Sequence, residues 1–293
     1  MKDNTLYIVT PCYNEEEILM DSAYRLKNKL LELIEKELVS NKSKIIFIDD
    51  GSKDKTWSLI EKLVQKDKLY GGIKLSKNFG QYAALMAGYM YAKDNADLCI
   101  SLDVDLQDDI EIIEKMVQDY NEGSEIVFTV RKDRKSDTNL KKNTAKFYYQ
   151  IMKWLNTGMI PESPDFRLLS KRALKALEQQ EDKKPYPRGS VPCIGFKSSV
   201  EEFVRQQRRG GKTSYSYPKM IKLAIRSIVK TTNRVLFLPF FVAVIAMAEL
   251  VIQIPSNIYW VMIFFSLGII GLYIADIKDQ ICGGPCYFID III

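Results

Sequence analysis

Histidine is absent from this 293-residue chain. That excludes zinc sites built on imidazole and any catalytic scheme that uses histidine as its general base. Cysteine is scarce and poorly spaced for cross-linking. Cys12, Cys99, Cys193, Cys282 and Cys286 are odd in number and form no Cys-x-x-Cys pair. Such a set predicts reduced thiols in the cytosol rather than a disulfide framework. An excess of one charge is also missing: 42 Lys and Arg stand against 37 Asp and Glu, a net +5 that does not indicate nucleic acid as a partner. The opening Met1-Lys2-Asp3-Asn4 leads directly into a strand-like run, so no signal peptide is expected. The length predicts one large domain, or one domain with an appendage.

What the chain does have is concentrated between Ser101 and Glu111, which reads Ser-Leu-Asp-Val-Asp-Leu-Gln-Asp-Asp-Ile-Glu. Asp103 and Asp105 follow the apolar run Leu98-Cys99-Ile100. Residues two apart on a strand point to one side, so the two carboxylates can converge on one cation at the strand's end. With no imidazole available, a metal here is expected to be a hard ion held by oxygen, such as Mg²⁺ bridging carboxylates to substrate phosphates. The plain alternative for an isolated Asp-x-Asp is a polar turn after a strand.

The first 130 residues alternate in period. Strands are expected at Leu6–Thr10, Lys44–Ile48, Ile73–Leu75, Leu98–Leu102 and Glu125–Val130. Helices are expected at Glu15–Leu38, Lys55–Lys66, Gln81–Lys93 and Ile110–Asn121. This alternation predicts an α/β fold with a mostly parallel sheet covered by helices on both faces. Ligands of such sheets sit at the carboxyl ends of the strands. The polar motifs fall on the corresponding loops, Pro11–Glu15, Asp49–Asp54, Ser76–Gly80 and Asp103–Asp108.

The character changes near the end. Val235–Ile254 carries one charge, Glu249, and Ile258–Ala275 carries none. These lengths predict two membrane-spanning helices joined by a turn at Pro255-Ser256-Asn257. Arg226, Lys230, Arg234 and Lys278 flank the pair, which places both flanks, and the domain before them, in the cytoplasm. The alternative is a buried helical hairpin of a soluble domain. Glu249 is costly in lipid and is expected to face the other helix, a homo-oligomer partner or a polar ligand. Tyr217–Val229 reads as an amphipathic interfacial helix or, alternatively, a soluble surface helix. The expected organisation is therefore a domain over residues 1–216, a juxtamembrane helix over 217–234, and a transmembrane hairpin with a short tail over 235–293.

Five segments taken together resemble family 2 glycosyltransferases of the GT-A fold. They are Pro11-Cys12-Tyr13-Asn14-Glu15, Ile48-Asp49-Asp50-Gly51-Ser52, Ser76-Lys77-Asn78-Phe79-Gly80-Gln81, Asp103-Val104-Asp105-Leu106-Gln107-Asp108 and Asp165-Phe166-Arg167-Leu168-Leu169. The similarity is greatest to the polyprenyl-phosphate glycosyltransferases, which include bactoprenol glucosyltransferases and dolichol-phosphate mannose synthase. The resemblance implies that Pro11, Tyr13, Glu15, Asp49 and Asp50 bind the nucleoside of a nucleotide-sugar donor, with Asp103 close to the sugar nucleotide. It implies Mg²⁺ or Mn²⁺ on Asp103, Asp105 and Gln107. Asp108 and Glu111 would contact the sugar or cap the following helix. Asp165 would lie near the acceptor, orienting or weakly assisting it, or else be a helix cap or loop acid. Arg167 would pair with Asp165 or meet a phosphate. Arg208 falls on a family arginine that holds diphosphate or lipid phosphate. Arg131, Arg134, Lys141 and Lys142 either close over the diphosphate or form a solvated loop.

Three departures stand out. Thr213-Ser214 replaces the family's Ser-Lys, Cys193 stands where a Trp precedes Ile194-Gly195-Phe196, and the tail Cys282-Gly-Gly-Pro-Cys286 lacks an arginine. The resemblance implies a membrane-anchored inverting enzyme that moves a hexose, glucose from UDP-glucose, to undecaprenyl phosphate. The alternatives are a GDP-mannose or UDP-GlcNAc donor, another acceptor, or a non-catalytic membrane scaffold.

Overall fold

The computed structural model describes residues 4–132, 150, 152–155, 158–180, 185–204, 224–225, 227–240, 242, 256–282 and 285–293. The strands are β1 (Leu6–Cys12), β2 (Lys44–Asp49), β3 (Tyr70–Leu75), β4 (Leu98–Ser101), β5 (Ile126–Arg131), β6 (Arg167–Ser170), β7 (Ser198–Phe203) and β8 (Ile289–Ile292). They form one sheet in the order β7-β5-β6-β4-β1-β2-β3-β8. The β3-β2-β1-β4 portion is parallel, as the alternation predicts. The sheet as a whole is mixed. β6 enters antiparallel between β4 and β5, β7 runs parallel to β5, and β8 adds antiparallel to β3. Helices are α1 (Leu19–Glu35), α2 (Thr56–Lys66), α3 (Gln81–Asn95), α4 (Ile112–Asn121), α5 (Lys171–Glu178), the short α6 (Pro187–Ser190) and α7 (Ser256–Cys282).

Alternation along β1 sorts the two faces. Leu6 and Ile8 join the core under α1, α2 and α4, whereas Tyr7 and Val9 join the core under α3 and α5. On the first face, Leu26, Leu30 and Leu33 of α1 are fully buried with Ile60 of α2 and Ile113 of α4. On the second, α3 packs through small residues, Ala84, Ala87, Gly88 and Ala92, so it lies close to the sheet. A Cβ on Gly88 would sit 2.2 Å from Val9 Cγ1 and 2.9 Å from Ile48 Cδ1.

Several element ends differ from expectation for identifiable reasons. β1 continues past Thr10 to Cys12, with Pro11 opposite Ile48. Pro11 lies beyond the last β1–β4 pair, Val9–Ser101, where the strand has one neighbour and a missing N–H is tolerated. α1 starts at Leu19 rather than Glu15; ahead of it the Glu15 and Glu16 amides donate to Thr56 Oγ1 (2.9 Å) and Asp54 Oδ2 (3.2 Å). It stops at Glu35 in a Schellman-type turn. Leu38 N–H bonds Leu33 O at 3.0 Å and Glu37 N–H bonds Ile34 O at 2.9 Å, with Glu37 at φ 54°. A glutamate there, rather than glycine, hides that stop from the sequence.

The chain divides into two compact units. One comprises Met1–Thr138, Ile160–Ser214 and Pro285–Ile293, and contains the whole sheet; the other comprises Asn139–Met159 and Tyr215–Gly284. In the second, Trp260–Ile281 of α7 is a 22-residue stretch long and apolar enough to cross a membrane, and is the one such helix among the described residues. It covers the second expected span. Most of the first span, including Glu249, and most of Tyr217–Val229 lie outside the described residues. Within this unit Lys230 Nζ meets Asp276 Oδ1 at 3.4 Å.

Gly88→Ala should destabilise the protein by about 1–3 kcal/mol, the cost of overpacking a closed helix–sheet contact. Thermal denaturation of the purified variant checks this; an unchanged midpoint would contradict so close an approach.

Candidate active site

The site forms where β1, β2 and β4 end, and β6 completes it. Because β6 runs antiparallel to β4, with Ser101 opposite Arg167, its beginning abuts the end of β4. Continuing that register by two residues sets Asp165 against Asp103. The junction is tied by Ser101 Oγ, which donates to the Asp165 carbonyl and shares a hydrogen bond with Tyr89 Oη of α3.

Asp165 is 4% exposed and held by two guanidinium groups. Arg188 Nε lies 3.2 Å from both carboxylate oxygens and Arg188 Nη2 3.0 Å from Oδ2. Arg167 Nη2 donates to Oδ1 at 3.2 Å. Arg167 is itself locked by the carbonyls of Pro187 and Pro164, both at 3.0 Å. Burial raises the Asp165 pKa, but Arg188 and Arg167 outweigh it and leave the carboxyl below its ordinary value. Asp165, in the loop just before β6, is therefore an oriented carboxylate whose pKa two arginines hold down, and it caps no helix among the described residues. Arg188 sits on α6 beside Tyr186, whose ring meets Tyr82 of α3 edge-on at 5.5 Å.

Asp103 accepts from Gln81 Nε2 at 2.9 Å. Burial first, then the charges of Asp165, Asp105 and Asp108, push its pKa up to about 7. The loop after it turns sharply: Leu106 N–H bonds the Asp103 carbonyl at 3.2 Å, and Leu106 is buried with φ 44°. Gln107 is buried, and its backbone N–H donates to Asp105 Oδ1 at 3.3 Å. Ser22 of α1 anchors the Val104 carbonyl. Arg131, at the end of β5, meets Asp108 at 3.5 Å. Glu111 reaches Lys29 of α1 at 2.7 Å and makes no side-chain cap on α4.

The loops after β1, β2 and β3 are stitched together. Asn14, at φ 55°, accepts from Lys53 N–H at 2.8 Å and donates its own N–H to Ser52 Oγ at 2.9 Å. Tyr13 is 40% exposed at the rim. Asp49 accepts from Ser52 N–H, an Asx-type turn, and burial raises its pKa. Asp50 spans to the next loop, accepting from Phe79 N–H at 2.8 Å and Gly80 N–H at 2.9 Å. Gly51, at φ +67°, has no room for a Cβ, which would lie 2.4 Å from the Lys77 carbonyl carbon. Asp50 thus sets the start of α3, and through it Gln81 and Asp103.

Among the described residues, no group of three or more Asp, Glu, His or Cys side chains is arranged to hold a metal ion by itself. The donor chemistry of Asp103 and Asp105 nonetheless suits a hard cation that takes its other oxygens from diphosphate and water. The cluster of like charges around Asp103 is one that such an ion would relieve. Arg208, Arg134, Lys141 and Lys142 lie outside the described residues. Arg188 and the Tyr82–Tyr186 pair have no role in the sequence reading, and Gln81 enters it only as the end of a motif, because their partners lie far away in the chain.

Residues 7–178 match the family model described as Glycosyl transferase family 2. The chain is 39% identical to an uncharacterized glycosyltransferase of Bacillus subtilis, YkoT, over 98% of this chain and 91% of that protein. It is 31% identical to the SfII prophage-derived bactoprenol glucosyl transferase of Shigella flexneri, over 96% of each. Among solved structures, GalNAc-T7 with UDP, GalNAc and Mn²⁺ aligns with a TM-score of 0.50 at 13% identity, covering 94% of this chain and 55% of that one, a likeness of fold.

Two outcomes are expected here. Arg188→Lys keeps a cation but loses the fork on Asp165, so glycosyl transfer should fall at least about tenfold with the fold retained; Arg188→Gln should fall further and lose stability, since it leaves buried charge less compensated. Steady-state kinetics with circular dichroism test both. Asp50 carries a pKa pushed up to about 6 by burial, against an ordinary 3.8. The folded state therefore holds more of this proton than the unfolded state, so its stabilising contribution is present below that ordinary value and is lost as pH rises through about 6. The stability advantage of the parent over Asp50→Asn should shrink across that window in thermal melts; parallel profiles would refute it.

Proposed function

Because the chain belongs to glycosyl transferase family 2 and is a glycosyltransferase, we propose that it transfers a hexose, glucose from UDP-glucose, to undecaprenyl phosphate at the cytoplasmic face of a membrane. The observation that carries this reading is the pairing of an acidic diphosphate-side cluster, Asp103, Asp105 and Asp108, with a carboxylate, Asp165, that two arginines hold ionised. Relatives named bactoprenol glucosyl transferase support the acceptor and the sugar.

The acceptor phosphate oxygen attacks the anomeric carbon on the face opposite the nucleotide. A new carbon–oxygen bond forms as the bond to the β-phosphate oxygen breaks, and its electron pair leaves with UDP, inverting the centre. A phosphate oxygen is already anionic near neutral pH, so no strong base is required. Asp165 accordingly orients the acceptor side and is not asked to take a proton. Tyr13 and the stitched loops carrying Pro11, Glu15, Asp49 and Asp50 form the nucleoside side, with Asp50 acting through the loop it clamps. Asp103, Asp105 and Gln107 would hold Mg²⁺ or Mn²⁺, which when bound neutralises charge developing on the departing diphosphate. Arg208 adds positive charge toward a phosphate. α7 supports membrane attachment of the enzyme, as one helix of a multi-pass anchor, and self-association through that anchor is part of the proposal.

The test incubates membranes containing the protein with undecaprenyl phosphate, Mg²⁺ or Mn²⁺ and a panel of radiolabelled nucleotide sugars, GDP-mannose and UDP-GlcNAc included. Label from UDP-glucose should enter the organic phase, and fall by at least about a hundredfold in Asp103→Ala and Asp105→Ala. Label from another donor would reassign the sugar. No lipid label from any donor would reject the acceptor and favour a scaffold.

A further inference from the structure

Wholly within the unit that contains the sheet, with Pro187, the neighbour of Arg188, in its wall, lies a cavity of about 450 Å³. Its walls are mostly apolar, with Met86 and Met90 of α3, Leu177 of α5 and Pro187 among them, and Glu178, Gln180 and Ser190 supply its polar part. We propose that this cavity is an acceptor subsite, receiving the phosphate-proximal prenyl units of the lipid. The inference rests on the polyprenyl-phosphate reading and adds where the chain runs.

Two covalent routes join the cavity to the cluster. Pro187 forms a wall, its carbonyl accepts from Arg167, and the next residue, Arg188, grips Asp165. α3 begins at Gln81, bonded to Asp103, and carries Met86 and Met90 farther along. At 1.5 Å per residue these lie about 7.5 and about 13.5 Å along the axis from Gln81. An occupant that reaches both places has charge at one end and hydrocarbon at the other. That matches a phosphate on a prenyl chain; a nucleotide or a free sugar has nothing for the apolar end. Two thioethers in the wall suit a flexible branched chain, because methionine adapts its shape at little cost. The volume is within the range of small-ligand pockets and accommodates the first part of a long lipid, leaving the rest outside.

Cys286 lines the same cavity and is partly exposed, whereas Cys12 and Cys99 are buried. In a Cys193→Ser, Cys282→Ser background its alkylation by a maleimide becomes a reporter that is independent of turnover. Undecaprenyl phosphate in detergent micelles should slow Cys286 labelling by about tenfold at a concentration ten times its Kd; inorganic phosphate and UDP-glucose should not. Met90→Trp, which fills the cavity, should raise the KM for undecaprenyl phosphate about tenfold, the loss of roughly two buried methylenes, with the KM for the donor unchanged. Unprotected Cys286 in an enzyme that does turn over undecaprenyl phosphate would overturn the subsite while leaving the function intact. So would labelling that slows with protein concentration alone, which would assign the cavity to a second copy. Absence of transfer to any polyprenyl phosphate would instead remove the reading beneath it.

Discussion

The antiparallel register of β6 on β4 is the constraint on which the site depends. It carries Asp165 to the end of β4, where Asp103 emerges, and two acids at such a place repel. The fold answers with arginine. Arg167 leaves the same strand, Arg188 arrives from α6, and together they convert a costly buried acid into a fixed anion. A buried ion pair of this kind adds little net stability relative to apolar packing, yet removing one partner is expensive. Its value here is definition of position: the carboxylate has one orientation, set by the Arg188 fork and by Arg167, which backbone carbonyls hold in place.

A second set of bonds holds the loops after β1, β2 and β3 together. Asp50 takes two amides of the Ser76–Gly80 loop, Gly51 lets that loop approach within backbone contact, and Asn14 and Ser52 tie the first loop to the second. These polar residues fall at loops, as the alternating pattern indicates, but much of their hydrogen-bonding capacity is spent on neighbouring backbone. Asp50 and Asp49 thereby organise the loops around them. The same holds for Glu111, which reaches Lys29 and ties α4 to α1.

The parallel strands, the four helices between them and the loops bearing Asp103 and Asp105 were legible because they are local: period, apolar runs and strand-end acids report on a few neighbouring residues. β6, β7 and β8 were not. Asp165-Phe166-Arg167-Leu168-Leu169 is too short and too charged to read as a central strand, and its burial of Arg167 rests in part on the Pro187 carbonyl, 20 residues away. Ser198–Phe203 has no apolar face of its own. Arg188 is one cation between two turn-forming residues, Pro187 and Gly189, and its partner lies 23 residues away. Long-range pairing of this sort leaves no local signal.

β8 is the last strand and follows the apolar helix in the chain, whereas β7 precedes it. Both ends of the intervening chain are thus pinned in one sheet, on one side of any bilayer. A chain that departs from and returns to the same compartment must cross an even number of times. If α7 spans a membrane, it cannot do so alone. The sheet, moreover, gains its outermost strand only after that helix has been synthesised, so the edge of β3 stays open until then.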